Sequence, residues 1–319
     1  MLVYFAMSSE QSIKIGTRGS PLAITQANYV RELLLAEQSN VLEKQQIRIC
    51  SLTTMGDRFT DRPLSTIGGK GLFTKEIDQA LIDKELDCAV HCVKDMPTQI
   101  PEGIVVAAVL KREDPRDAFI SKLNIKLCEV PDGTIIGTTS LRRKAQLLAH
   151  YPKLQVVGLR GNVQTRIDKI NSGTADATLL AISGLKRLNM EKAATEILST
   201  EIMLPAVGQG ALLIACRTED ITTQALLAKL HHQESSYQIE AERAMLKELD
   251  GSCATPIAGL ATISEERLSL RGLVAQPDGR KLWEKTKNGV IADARIIGQD
   301  LGQELRAVVG ENFFKNLNI

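Results

Sequence analysis

Two sets of side chains in this 319-residue chain are placed to do chemistry. The first is a cation–carboxylate pair, Lys94-Asp95, at the end of the apolar run Cys88-Ala89-Val90-His91-Cys92-Val93. Pro97 biases Met96 toward extended backbone and cannot donate into a sheet ladder, so a strand over 88–93 must stop there. The pair therefore sits at a carboxyl-terminal strand edge, the place where open α/β sheets bind ligands. Taken alone it is also what an ordinary solvated loop ion pair looks like.

The second set is arginines at turns. Between Ser140 and Arg187 stand Arg142, Arg143, Lys144, Lys153, Arg160, Arg166, Lys169, Lys186 and Arg187, against Asp168 and Asp176. Ser140 is placed to cap a helix whose first turn carries Arg142 and Arg143. Gly161-Asn162 opens another helix just after Arg160, Gly184 precedes Lys186-Arg187, and Arg18 stands between a strand and a helix start. Cations there face the positive end of the helix dipole, at a cost of roughly a few tenths of a kcal/mol each. The arrangement makes sense if an anion fills the space, because backbone N–H groups and guanidinium forks then converge on it. Solvated cations on exposed helices account well for Lys153 and Lys169 and poorly for the turn arginines. Phosphate is the rival anion, but Gly68-Gly69-Lys70-Gly71 lacks the Walker spacing and its Ser/Thr after Lys. With only 3% aromatics, stacking on nucleic-acid bases is poorly served. A substrate with several carboxylates fits best.

Cys253 differs from Cys50, Cys88, Cys92, Cys128 and Cys216. It lies in Asp250-Gly251-Ser252-Cys253-Ala254-Thr255-Pro256, a loop after a helix end, where a thiol can be exposed and alkylated. A free surface thiol is the equal alternative from the loop alone. No CxxC pair occurs and the histidines do not fall at zinc spacing, so no metal is expected. A chain this long needs no disulfide staples, and reduced thiols in a cytoplasmic protein are the expectation.

The elements that must carry these residues alternate. A strand at 13–17 turns through Ser20-Pro21, a good N-cap and first helical residue, into a helix reaching about Gln38. Strands follow at 47–53, 88–93 and 104–110, with a helical stripe at 72–84. The charged segment 111–117 reads as a crossing into a second region. There strands at 134–138, 154–159 and 177–182 lead into helices at 141–149, 163–171 and near 185–189, which implies parallel sheets with crossover helices. A second connector, 204–210, precedes a strand at 211–216 that should return to the first region. A helix at about 235–249, strands at 257–262, 268–275 and 281–286, and a last helix at 290–308 suggest a small α+β domain. The fold class expected is α/β: two lobes with mixed sheets plus that α+β unit. The expected division is 12–111 with 210–230, then 112–209, then 231–319. Charge is +1 and no run approaches a membrane span, so neither nucleic acid nor membrane is an expected partner. The first eleven residues make no convincing signal or transit sequence, and Met7 is a second candidate start.

Eight blocks in order carry a resemblance. They are Gly16-Thr17-Arg18-Gly19-Ser20-Pro21-Leu22-Ala23, Gly68-Gly69-Lys70-Gly71-Leu72-Phe73, His91-Cys92-Val93-Lys94-Asp95 and Arg112-Glu113-Asp114-Pro115-Arg116-Asp117-Ala118. Then come Gly137-Thr138-Thr139-Ser140-Leu141-Arg142-Arg143, Leu159-Arg160-Gly161-Asn162-Val163, Leu204-Pro205-Ala206-Val207-Gly208-Gln209-Gly210 and Gly251-Ser252-Cys253. With them the sequence resembles the porphobilinogen deaminase (hydroxymethylbilane synthase) family over nearly the whole chain.

The resemblance implies two lobes like those of periplasmic binding proteins, a cleft between them, and a third domain carrying the cofactor cysteine. It implies condensation of four porphobilinogen molecules head to tail into hydroxymethylbilane, with loss of ammonia each time, on a dipyrromethane primer held by a thioether to Cys253. Asp95 would be the central acid/base: ammonia loss leaves a cationic azafulvene that a carboxylate can stabilise, and a base must later take the ring proton. Arg18, Arg142, Arg143, Arg160, Arg166 and Arg187 would hold acetate and propionate groups. Lys70, Lys94, Ser20, Thr138 and Ser140 would share that task, with Gln209 and Cys92 also at the site. Cys92 departs from the serine that family members often carry, and Thr66 from a lysine found in some. The family reading further implies a cytoplasmic monomer whose product passes to uroporphyrinogen-III synthase. The other reading is a two-lobed solute-binding protein for an organic anion, which shares the lobes and arginines but has no use for a reactive Cys253.

Overall fold

The computed structural model describes residues 12–37, 46–58, 71–252 and 255–316. The first sheet runs in the order β2-β1-β3-β10-β4, formed by β1 (Ile13–Arg18), β2 (Ile47–Leu52), β3 (Cys88–Cys92), β4 (Ile104–Val109) and β10 (Leu212–Arg217). β1 pairs parallel with β2 and β3, while β10 runs antiparallel to both β3 and β4. Every residue of β10 is buried, as befits a strand covered on both faces. Its side chains alternate: Leu212, Ile214 and Cys216 pack toward the helix Pro21–Glu37, and Leu213 and Ala215 toward the helix Lys75–Ile82.

The second sheet runs β7-β6-β8-β5-β9. It comprises β5 (Asp117–Ser121), β6 (Ile135–Gly137), β7 (Gln155–Val157), β8 (Ala177–Ala181) and β9 (Glu196–Ile197). Phe119 enters the core on one face of β5, while Ala118 and Ile120 enter it on the other. Neither β5 nor β9 was anticipated from the sequence. The segment expected as a charged crossing up to residue 117 ends sooner, because Asp117 already begins β5 and is fully buried. The helix expected near 185–189 starts earlier, at Ile182, directly from β8.

The third unit is an antiparallel meander of β11 (Ile257–Ser264), β12 (Arg267–Ala275) and β13 (Leu282–Val290). The helices Gln233–Glu248 and Ala294–Val309 cover one face, burying Met245, Leu268, Leu270, Leu301 and Leu305 together. β13 extends past the expected 286 because Thr286–Val290 continue the register against β12, so the last helix starts at Ala294 instead of 290.

The three units meet at the two crossings between the sheets. Glu242, fully buried on the helix Gln233–Glu248, accepts from Arg112 Nη1 at 2.5 Å, from Gly208 N at 2.7 Å and from Ala261 N at 2.8 Å. Arg112 Nε donates in turn to Gln209 O at 2.9 Å. A buried carboxylate without such donors would cost several kcal/mol; here it ties both crossings to the third unit. Gly210 has φ +88° and lies so close to the Glu113 carbonyl that no side chain fits between the crossing segments. No helix among the described residues is long and apolar enough to cross a membrane.

Candidate active site

A cleft of about 890 Å³ lies between the two sheets and borders the third unit. Its walls gather residues from the carboxyl ends of β1 and β3, from three helix starts and from the second crossing. Arg18, Ser20, Cys92, Lys94, Asp95, Ser140, Arg142, Arg143, Arg160, Arg166, Arg187 and Gln209 all line it. Thr138 sits one layer behind, its hydroxyl accepting from Ser140 N at 3.2 Å, and Thr139 takes the lining position. Lys70, Thr66 and Cys253 lie outside the described residues. The flanks of Cys253, Ser252 and Thr255, border the cleft.

The local reasons are legible. After β3 the chain makes a tight turn over Val93–Asp95, which aims Lys94 and Asp95 into the cleft edge. Arg243 Nη2 fastens the following segment by donating to Pro97 O at 2.7 Å. Ser140 caps the helix Leu141–His150 by accepting from Arg143 N, and Asn162 caps Val163–Asn171 by accepting from Thr165 N at 2.9 Å. Both caps place arginines where the sequence pattern put them. Ser20 likewise accepts from Ala23 N at 3.3 Å.

On the first-lobe wall, Arg18 is forked to Asp57, stacks 4.1 Å from the Phe73 ring centroid, and lies 3.9 Å from Asp95. Burial works against the Arg18 charge, but Asp57 and Asp95 more than restore it. Burial, with Arg143 nearby, pulls Lys94 below its ordinary value despite Asp95. The Lys94 ammonium makes no hydrogen bond among the described residues. Cys92 Sγ lies 3.2 Å from the amide nitrogen of Gln26, and burial and then Asp95 push its thiol up, so it stays protonated.

On the second-lobe wall the arginines share one hidden counterion. Asp117 Oδ2 accepts from Arg142 Nη1 at 2.8 Å and Oδ1 from Arg143 Nη2 at 2.6 Å, with Gln209 Nε2 at 3.0 Å. Burial would raise the Asp117 carboxyl, yet the two guanidiniums hold it well below the usual range. Sequence reading missed Asp117 because it stood among Lys111 to Arg116 and looked like one more surface charge. Its signal was the apolar run that follows it, Ala118-Phe119-Ile120. Arg143 Nε, Arg160 Nη1 and Gln209 Oε1 are buried with no partner among the described residues. Arg166 is pulled down to about 10 by burial and by its neighbours Arg143 and Arg160, so these cations crowd one another. Arg187 donates to Gly210 O at 2.7 Å, and Lys186 turns away to Glu113 at 2.8 Å. Such a wall binds anions: two of its guanidiniums keep donors free, and it holds more positive charge than one buried carboxylate balances.

Comparison with known proteins agrees. The model described as "Porphobilinogen deaminase, dipyromethane cofactor binding domain" matches residues 13–225, and "Porphobilinogen deaminase, C-terminal domain" matches 236–307. The chloroplastic porphobilinogen deaminase of Pisum sativum is 50% identical over 95% of this chain and 84% of that protein. That of Oryza sativa subsp. japonica is 48% identical over 98% and 88%. The Paracoccus denitrificans porphobilinogen deaminase is 48% identical over 96% and 97%. A solved periplasmic binding protein from Brucella ovis with glutathione bound is far more distant, 12% identical with a TM-score of 0.41, covering 75% of this chain and 74% of that one. Matched in both its parts by the family's models, and by its members over nearly its whole length, the chain belongs to the porphobilinogen deaminase family.

Proposed function

We propose that the interlobe cleft is the catalytic site of a hydroxymethylbilane synthase in which Asp95 is the acid–base group and Cys253 carries the primer. The enzyme condenses four porphobilinogen molecules head to tail into hydroxymethylbilane, releasing four ammonia, in tetrapyrrole biosynthesis. Its dipyrromethane cofactor, when bound, supplies the pyrrole carbon to which the first substrate is joined. The observation carrying the reading is that one cleft brings Asp95 together with five arginines of the second-lobe region and the flanks of Cys253.

The residues fit such a group. Each pyrrole of the substrate brings two carboxylates, and the buried, unpartnered nitrogens of Arg143 and Arg160 are donors such carboxylates would satisfy. Arg142 and Arg143, braced on Asp117, hold carboxylates at the helix start where backbone N–H groups also point. Arg18, Lys94 and Ser20 on the opposite wall grip the incoming ring; Lys70, expected from the family resemblance to share the carboxylate contacts, lies outside the described residues. Asp95 stabilises the cation left as ammonia departs, and then takes the ring proton after the carbon–carbon bond forms. Nothing in this scheme asks Arg18 to titrate, so its carboxylate grip is constant across the working pH range.

The division 12–111 with 210–230, 112–209 and 231–319 is supported by the three sheets. The protein acts as a cytoplasmic monomer and hands its product to uroporphyrinogen-III synthase; the free state of the five described cysteines suits a reducing compartment. Intact mass tests the attachment. The purified protein should exceed its sequence mass by a dipyrrole, Cys253→Ser should lack the adduct, and Cys50→Ser and Cys216→Ser should keep it. An adduct persisting in Cys253→Ser sinks the assignment. A loaded protein should also melt higher than Cys253→Ser, because a ligand bound only to the folded state stabilises it.

A further inference from the structure

Beside the main cleft lies a chamber of about 50 Å³. Arg18, Gln26, Cys92 and Asp95 line both spaces, so the chamber opens from the cleft at the acid–base group. Leu22, Ala23, Phe73 and Val90 share its wall with polar groups that are poorly satisfied. His91 is 5% exposed and its Nε2 has no partner among the described residues; Thr74 is 1% exposed, and its Oγ1 has the buried Asp78 carboxyl as a neighbour but no well-formed hydrogen bond among the described residues. Gln26, 3% exposed, gives its amide only the weak sulfur partner of Cys92 among the described residues. The three come from different elements: β3, the start of the helix Lys75–Ile82, and the helix Pro21–Glu37. Buried polar groups in native proteins nearly always find a partner, protein or ordered water. One water needs roughly 10–15 Å³ of such space and two to four polar contacts, so the chamber has room for a short chain of them.

We propose that this chamber is an ordered-water site, anchored on His91 Nε2 and Thr74 Oγ1, through which Asp95 is cleared of its proton in each cycle. The inference rests on Asp95 as the acid–base group. In a condensation the carbon–nitrogen bond of one porphobilinogen breaks and ammonia leaves. The terminal pyrrole then forms the new carbon–carbon bond, and its ring proton passes to a carboxylate oxygen of Asp95. Before the next cycle that proton must go. It moves to a chamber water, and a proton of the chain passes at the chamber's mouth to the ammonia released in the same cycle, which departs as ammonium; one carbon–nitrogen and one carbon–hydrogen bond are exchanged for one carbon–carbon and one nitrogen–hydrogen bond. The growing polypyrrole fills the cleft and displaces solvent from that side of Asp95. The chamber keeps water on the other side. His91 is a positioning residue here: burial, helped by Arg18, pulls it down to about 4, so it stays neutral and holds the water without itself titrating near neutrality.

The test pairs kinetics with a direct look. In the loaded enzyme, His91→Leu should lower kcat at least ten-fold while KM for porphobilinogen stays within about two-fold. Intact mass should show the cofactor still in place. His91→Gln, whose amide reaches toward the Nε2 position, should recover most of the loss, and the solvent deuterium effect on kcat should rise in His91→Leu. Thr74→Val, on a different element, should repeat the pattern more weakly. A high-resolution crystal structure of the loaded enzyme should show water within hydrogen-bond distance of His91 Nε2. A dry chamber, His91→Gln no better than His91→Leu, or KM moving with kcat overturns the proposal. If Asp95→Asn itself turns over normally, the acid–base reading falls and the relay with it. A crippled Asp95→Asn beside an unaffected His91→Leu overturns the relay alone.

Discussion

On the first-lobe wall of the cleft, Arg18 and Lys94 stand beside two carboxylates, Asp57 and Asp95. On the opposite wall, Arg142, Arg143, Arg160, Arg166, Lys169 and Arg187 line the space with no carboxylate among the described lining residues, Asp117 lying buried behind them. The first wall is near charge balance, with Asp95 29% exposed at its edge and Arg18 held by Asp57 and Phe73. The second is short of anions by design of its backbone: helix starts and arginines point the same way. The difference separates tasks. A balanced wall can move a proton without the site's net charge deciding the outcome, while a cationic wall can hold a chain whose carboxylates increase with every ring. Asp117 matters to the second task because it fixes two guanidiniums without using up all their donors.

The largest effect expected from breaking this contrast falls on the first wall. Asp95→Asn keeps shape but removes the charge and the proton acceptor, and should slow turnover by roughly 10²–10⁴-fold. Stopped-quench measurement of ammonia release checks it, and a folded variant with near-normal release excludes Asp95 from the central role. On the second wall, Asp117→Asn should cost stability by about 3–5 kcal/mol, because two buried guanidiniums lose their counterion. Denaturant unfolding reads the loss. The sign with pH follows from the depressed carboxyl. Stability from Asp117 is fully present above its unfolded pKa, about 3.9, and is lost as pH falls further toward the folded value. The gap between wild type and Asp117→Asn should therefore narrow below about pH 4. A gap independent of pH would mean that Asp117 acts through shape alone.

The smallest effects sharpen the comparison by stage. Arg143→Leu removes charge-assisted bonds of about 1.5–3 kcal/mol each and should emerge with little cofactor, since the second wall must hold the primer first. Arg18→Leu should acquire the cofactor and then stall in elongation. Native mass spectrometry after mixing with porphobilinogen counts the rings retained. An unloaded Arg18→Leu, or an Arg143→Leu that loads and elongates normally, would erase the proposed division of labour.

Much of this was written in local chemistry. Ser140 and Asn162 as caps, the strand stop forced by Pro97, and the continuous apolar run of β10 depend on neighbours a few residues away, so sequence alone determined them. The same holds for the arginines at helix starts, whose cost against the dipole made sense only with an anion. Partnership across long separations was a different matter. Asp117 meets Gln209, and Arg112 meets Glu242, only because the chain crosses twice between lobes and the third unit closes over the crossings. Before folding, Asp117 is one charge among several in a polar run, and His91 is one residue of an apolar strand. Burial turns the first into a counterion worth several kcal/mol and leaves the second, beside a chamber, with a nitrogen unpaired among the described residues. Hydrogen-bond demand is a property of the residue and can be read from its type. Whether that demand is met depends on low-dielectric surroundings and on side chains a hundred positions away, which only the tertiary structure brings together.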